Sequence, residues 1–411
     1  MSKWETKIYR LTELGSVSRG RSRHRPRDDK SLYGGKYPFI QTGDVKSANF
    51  YLSSFTQTYN EIGLVQSKLW KAGTLCITIA ANIAETAILS IDACFPDSIV
   101  GFTPYEGISD VRYVKYYFDI YKKQMQAMSL GATQDNFSVE KMLRVKFVFP
   151  DYPTQTRIAE ILSAYDDAIE NNNRRIVLLE KAVRELYREW FVRFRFPGHE
   201  NAKFVNGMPE GWQVASFGSL ADIIDGDRGA NYPKQDEFSP DGFCLFLNAG
   251  NVTKNGFDFG DNAFITEDKD RILRKGRLAR NDIVLTTRGT VGNVAFFNKH
   301  IPYEVMRINS GMVILRDSSE VSPEFLYITL RSDAVQKMIE LYSSGSAQPQ
   351  LPIKDMRKMK IIRPTDELLS KFTDIVGDIL NQSALLQTQS QNLAHQRDLL
   401  LPRLMSGKLE V

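Results

Sequence analysis

Two stretches of this chain place apolar residues at steps of three and four. The first, "PTQTRIAEILSAYDDAIENNNRRIVLLEKAVRELYREWFVRF" (153–194), has a spine at Ile158, Leu162, Tyr165, Ile169, Ile176, Leu179, Val183, Leu186 and Trp190. That spacing is the narrow seam of a coiled-coil helix, interrupted once by the polar Asn172. The second stretch runs from Asp366 to about Leu401, with seven-residue positions at Phe372, Ile379, Leu386, Leu393 and Leu400. Subtracting 214 from those numbers gives Ile158, Tyr165, Asn172, Leu179 and Leu186, so the two heptad series stand in register.

The pattern ahead of each helix repeats as well. "GTLCITIAANIAETAIL" (73–89) and "NDIVLTTRGTVGNVAFF" (281–297) each read as a polar turn, a β-branched strand, a small-residue turn and a second apolar strand. "FIQTGDVK" (39–46) is matched by "FLNAGNVTK" (246–254). A helical stretch follows in each copy, "VRYVKYYFDIYKKQMQAM" (111–128) and "PEFLYITLRSDAVQKMIELY" (323–342). The second opens on Ser322 as N-cap with Pro323 in the first helical position. "GATQDNFSVEKMLRVKFVFP" (131–150) and "GSAQPQLPIKDMRKMKIIRP" (345–364) share Gly131/Gly345, Gln134/Gln348, Met142/Met356, Lys146/Lys360 and Pro150/Pro364. A fixed-period repeat of whole supersecondary units is the signature of an internal duplication.

The expected fold class is therefore α+β: two mixed α/β domains joined by two long antiparallel coiled-coil helices, with a pseudo-two-fold internal repeat. The expected segments are 1–150, first domain; 151–198, central helical spacer; 199–364, second domain; and 365–411, C-terminal helical spacer. At 1.5 Å per residue the first helix would span about 50 Å, enough to act as a ruler between two heads. The competing reading packs each helix only on its own domain.

Composition adds a partner class. Across 411 residues the net charge is only +4, but the average conceals local patches. Residues 19–30 carry five Arg and one Lys against two Asp; "KDRILRKGRLAR" (269–280) has six bases against Asp270. "KDMRKMKIIR" (354–363) has five bases against Asp355. Repeated basic patches on a near-neutral chain point to a polyanion, with solvated surface charge as the alternative. Three scattered cysteines (Cys76, Cys94, Cys244) fit a reducing compartment and give no zinc framework. The N-terminal "MSKWETKIYR" has no apolar signal core, and no apolar run approaches a membrane span, so a cytoplasmic protein without membrane contact is expected.

Catalytic constellations are missing from the sequence. GxxxxGK[ST], HExxH, GxSxG and the NPP[FY]-type methyltransferase tetrapeptide do not occur. Pro240, Asp241, Glu267 and Lys269 mimic a PD…ExK nuclease pattern loosely, in one copy only, and Asp241 already has a turn-forming reason to be in "SPDG". A non-catalytic binding protein with no metal and no cofactor of its own is expected.

Two variable domains, each ending in a "G-x-x-Q…P" segment and a long helix, resemble the DNA specificity (S) subunit of type I restriction-modification systems. "LYREWFVRFRFPG" (186–198), "TTRGTVGN" (286–293) and the tail "RDLLLPRLMSGKLEV" (397–411) strengthen the resemblance, which covers essentially the whole chain. It implies two target-recognition domains, each reading one half of a bipartite, asymmetric site in double-stranded DNA. It also implies helices that set the spacer and dock two modification subunits, which carry S-adenosylmethionine and methylate adenine. Restriction (nuclease-translocase) subunits would join for cleavage. A different class of function, a non-specific DNA-binding scaffold that recruits partners through its coiled coil, is the alternative.

Candidate DNA contacts follow from side-chain chemistry: Arg suits guanine, Asn or Gln suits adenine, and most Lys and Arg contacts go to phosphate. Arginine occupies every second position from Arg19 through Arg21, Arg23 and Arg25 to Arg27, the side-chain period of an extended strand, with Lys30 close behind. Gly20 and Pro26 speak against a buried strand, and a solvated loop is the bland alternative. Arg228 and Lys234 in "DGDRGANYPK" hold the corresponding place in the second copy. Gln134 and Gln348 sit in small-residue turns, where satisfying local backbone is an equal alternative. Arg288 lies between Thr287 and Gly289, a setting for close approach; its counterpart in the first copy is Ala80, so no role transfers.

Overall fold

The structure, a computed structural model, describes residues 4–80, 82–127, 139–318, 320–345 and 349–411. It divides into two compact units, one of residues 1–173 and 389–411, the other of residues 174–388. Each long helix is shared between the units, so the segments 151–198 and 365–411 both fall across the division between them.

In the first unit a five-stranded sheet has the order Gly15–Arg19, Ile99–Pro104, Leu75–Thr78, Thr86–Leu89, Tyr51–Leu52. A second sheet orders Gln57–Tyr59, Tyr33–Phe39, Ala93–Cys94 and Leu69–Trp70. The second unit has the same plan. Ala221–Asp225, Met312–Asp317, Ile283–Thr286 and Val294–Phe296 make its larger sheet; Phe264–Ile265, Cys244–Leu247 and Met306–Ile308 make the smaller. One parallel pair recurs, Tyr33–Phe39 with Ala93–Cys94 and Cys244–Leu247 with Met306–Ile308. The strand preceding each long helix pairs antiparallel with a strand early in its unit, Phe147–Pro150 with Thr6–Tyr9 and Lys360–Arg363 with Gln213–Ser216. Both units are mixed α/β, and the duplication extends through their topology.

The duplication also reaches single hydrogen bonds. Thr78 Oγ1 accepts from Glu85 N at 3.0 Å and donates to Asn82 O; Thr286 Oγ1 accepts from Asn293 N at 3.0 Å and donates to Thr290 O. The Gln41 amide donates to Asp44 Oδ2 at 2.8 Å, and the Asn248 amide to Asn251 Oδ1 at 3.0 Å. These are the small-residue turn and the "FIQTGDVK"/"FLNAGNVTK" turn, each built with the same local donors and acceptors in both copies.

The first long helix, Tyr152–Tyr187, continues through a π-helical turn at Arg188–Val192, and the second is Asp366–Met405. In the first unit Ile158 and Leu162 join a buried cluster that includes Leu404, with Leu400, Leu401 and Met405 packed against it. There Asp166, buried, is paired with Arg397 and accepts from the Tyr116 hydroxyl. In the second unit Val183, Trp190 and Phe191 pack with Phe372 and Val376, with Leu186 and Ile379 against them. The start of each helix thus meets the end of the other, which makes the pairing antiparallel. Ring centroids of Phe191 lie 4.8 Å from Phe372, 5.2 Å from Phe325 and 5.8 Å from Trp212, so "LYREWFVRFRFPG" is an aromatic knot of the second core.

Of the seam residues, Ile158, Leu162, Ile169, Phe372 and Leu386 are buried, while Tyr165, Leu179, Leu186, Ile379, Leu393 and Leu400 are half-buried. Leu404 and Val376, at 1% and 0% exposure, are core residues that the strict heptad count passes over.

Candidate nucleic-acid interface

The arginine run begins on a strand but does not continue as one. Gly15–Arg19 pairs with Ile99–Pro104 and ends there, and residues 20–29 form an irregular loop. Of the two readings of the alternating arginines, extended strand or loop, the loop holds beyond Arg19. The turn-off is enforced at Gly20, where a Cβ would stand 2.3 Å from Pro96 O and 2.4 Å from Phe95 O. Gly226 ends the equivalent strand in the second unit under the same restraint, its Cβ position being 2.2 Å from Asn309 O.

Inside the loop the arginines divide into two sets. Arg21 donates from Nε to Ser67 O at 2.8 Å and from Nη2 to the same oxygen. Arg25 Nη1 donates to Ser22 O at 2.8 Å and His24 O at 2.7 Å. Arg27 Nη2 bridges both oxygens of Asp97 at 2.8 and 2.9 Å. These three order the loop itself. The Arg19 and Arg23 side chains are exposed and, among the described residues, have no hydrogen-bond or ion-pair partner; Lys30 is likewise exposed and unpaired. Backbone amides of Arg23 and His24 donate to Gln66 Oε1 at 2.6 and 3.1 Å, tying the loop to its neighbour.

Residues that the sequence did not single out join this face. Lys68 lies 3.5 Å from the centroid of the Trp70 ring and donates to Ser18 Oγ at 3.2 Å. Burial, helped by the nearby Arg21 charge, lowers its ammonium pKa. A cleft of about 580 Å³ opens beside the loop, lined by Arg27, Lys30, Tyr33, Phe39, Gln41 and Gln57 among others. Gln41 Nε2 donates to Gln57 Oε1 at 2.6 Å there, pairing two amides that stand sixteen residues apart. Only the fold reveals them, by bringing Gln41, the cap of a short helix, against Gln57 on a strand.

In the second unit the candidates gather at the turn Asn309–Gly311. Arg228 Nη2 donates to Asp225 Oδ1 at 3.1 Å and to Ser310 O at 3.3 Å. Asp227 accepts from the amides of Arg228 at 2.7 Å, Arg274 at 2.5 Å and Lys275 at 3.3 Å. Burial opposes ionisation of Asp227, yet those three amides together hold its carboxyl below the usual range. The backbone at Arg274 and Lys275, whose side chains are exposed, is thereby held to Asp227, the neighbour of Arg228 in the chain; they had counted only as part of the 269–280 patch. Elsewhere that patch is structural. Arg307 and Arg277 pair with the buried Asp270 at 2.5 and 3.2 Å, and Arg280 donates to the carbonyls of Asn298, Ile301 and Tyr303.

Arg288 N donates to Gly311 O at 3.1 Å, so this residue sits at the same turn as Arg228. Lys234 is exposed, near Glu237, and is not tied to that turn by any described contact. Gln134 and Gln348 lie outside the described residues.

Chemistry of other kinds is not assembled. Lys269 pairs with Glu237 at 2.8 Å and Glu267 with Arg271 at 2.7 Å, so the loose nuclease-like pattern is consumed in separate ion pairs. All three cysteines are buried, and burial raises the Cys244 thiol to about 12. Among the described residues no group of three His, Cys, Asp or Glu could hold a metal ion, and no helix is long and apolar enough to cross a membrane.

A twice-built α/β scaffold, with cation-bearing loops on each copy and paired long helices, defines a class: internally duplicated α/β proteins whose two copies carry different loops on a common frame. The chain belongs to the type I restriction modification DNA specificity domain family, whose model matches residues 1–181 and again 209–395. It is 26% identical to the type I restriction enzyme MjaIX specificity subunit of Methanocaldococcus jannaschii, over 99% of this chain and 94% of that one. It is 24% identical to the HindI specificity subunit of Haemophilus influenzae, over the full length of both. Among solved structures, the type I restriction-modification S subunit from M. genitalium matches with a TM-score of 0.61 at 15% identity, covering 98% of this chain and 96% of that one. The resemblance drawn from the sequence and the fold class both hold. The relatives are named as specificity subunits, in keeping with a non-catalytic chain.

Proposed function

We propose that this chain reads a bipartite, asymmetric site in double-stranded DNA, one half with each unit. In this reading it directs two modification (methyltransferase) subunits and restriction subunits to that site. S-adenosylmethionine would be carried by the methyltransferase partner. The observation that carries the reading is a common frame with different tips. The same hydrogen-bonded turns recur in both units, yet an equivalent position presents different chemistry, Ala80 in the first against Arg288 in the second. Two half-sites of different sequence call for that difference, because base identity is read by side-chain type. A scaffold that held DNA without sequence choice would need only charge, since phosphates are alike everywhere. Family membership supports DNA specificity as the role.

Base-resolved methylation mapping of cells expressing this chain with a cognate methyltransferase tests the reading. One two-part motif with a fixed gap is expected. Methylation scattered without a motif would favour the non-specific scaffold.

A further inference from the structure

Arg288 differs from the other arginines near its turn in how its two halves are held. Its backbone is fixed from several sides. Arg288 N and Thr287 N donate to Gly311 O at 3.1 and 2.8 Å, and Leu351 N donates to Thr287 O at 3.0 Å. A β-bridge joins Arg288 to Gln350, and Thr286 Oγ1 closes the hairpin turn that follows. Its side chain, by contrast, is exposed and has no hydrogen-bond or ion-pair partner among the described residues. Arg228, a neighbour at the same turn, has its guanidinium engaged by Asp225 and Ser310. Gly289 follows with φ +72°, and among the described residues no atom lies within 4 Å of where its Cβ would be. The chain beside Arg288 is therefore bare enough for another backbone to come close.

The equivalent position of the first unit shares one of these backbone bonds but carries no charge. Ile79 N donates to Ser98 O at 3.0 Å, as Thr287 N does to Gly311 O, which sets Ala80 where the second unit has Arg288. A cation serving only to grip phosphate would be as useful in one half-site as in the other, because the sugar-phosphate chain is common to both. A cation present in one copy alone matches what differs between half-sites, the bases. A planar fork of donors on a fixed backbone is the geometry that takes guanine O6 and N7 together.

We infer that Arg288 is a specificity-determining residue of the second unit that reads a guanine in the major groove of its half-site, with Arg228 holding the loop. This rests on the DNA-reading function proposed above. The test uses the complex assembled with its methyltransferase, carrying R288A or R288K, against duplexes substituted one base pair at a time across the second half-site. Both variants should lose discrimination at one G·C pair by roughly 5- to 150-fold, because lysine cannot make the paired contact. Affinity for unrelated duplex should hold, and discrimination in the first half-site should be untouched. If R288K matches wild type while R288A weakens all duplexes alike, lowering the salt slope by about 0.9, Arg288 grips phosphate and the inference fails. Unchanged discrimination in both variants overturns it equally. A wild-type complex with no sequence preference would instead bring down the functional reading itself, an outcome separable from either.

Discussion

Arg21 and Arg23 stand two positions apart in one loop, and their side chains have opposite fates. Arg21 is hydrogen-bonded to the Ser67 carbonyl, whereas Arg23 extends into solvent without a described partner. Replacing Arg23 or Arg19 with alanine should flatten the salt dependence of DNA binding by about 0.9 for each phosphate no longer neutralised, with melting temperature unchanged. Replacing Arg21 should instead unseat the loop, costing about 1–2 kcal/mol, seen as a lower melting temperature. Equal effects of R21A and R23A on the salt slope would contradict the division. The sequence displayed five alternating arginines and could count their charge. It could not display Ser67, Asp97 or the carbonyls that use three of them, because those partners arrive from elsewhere in the fold. Gly20 was the legible warning, and its physical cause is the Pro96 carbonyl crowding its Cβ position.

At the scale of elements, each long helix belongs to two cores. Leu404 is buried with Ile158 and Leu162 in the first unit, and Phe372 with Trp190 and Phe191 in the second. L404A should cost about 2–5 kcal/mol and F372A about 3–5 kcal/mol, each through the cavity left behind. Hydrogen exchange should locate the damage: weaker protection within the first unit for L404A, within the second for F372A. Weakening spread evenly over both units by either variant would contradict the assignment. Helices, seam and duplication were legible because a heptad pattern is a local property of sequence. Val376 and Leu404 were missed because the strict seven-residue step follows one line of the helix, while a core touches a wider face. Burial raises the Asp166 carboxyl above its ordinary value, against hydrogen bonds from Tyr116 and Arg397 that pull it down. R397M, leaving that carboxylate without its cation, should destabilise the first unit by about 3 kcal/mol at neutral pH. Unaltered melting of the first unit at that pH would show that the pair does not stabilise it.

For the molecule as a whole, the proposed function makes the helices a determinant of the gap between half-sites. Asn171 and Leu385 fall within a few residues of where the chain passes between units, at 173/174 and 388/389. Adding one heptad after each should lengthen the tolerated gap by about three base pairs, since seven helical residues rise about 10 Å. Methylation mapping that returned the original gap would refute a spacing role. The two-unit plan was open to sequence reading because it is written twice. The sharing of both helices between units was not, because packing between segments so far apart in the chain leaves no local mark.

That sharing has a consequence for the order of synthesis. Residues 389–411 supply Leu400, Leu401 and Leu404 to the first core and Arg397 to Asp166. The half of the protein that leaves the ribosome first is therefore finished last, after the whole of the second unit has been made. A chain cut short by a late stop codon would lose its earlier-made head and keep the later one, the reverse of what a string of independent domains would do. The first core is completed only once translation has passed the second unit, so a partly made chain carries no completed pair of units.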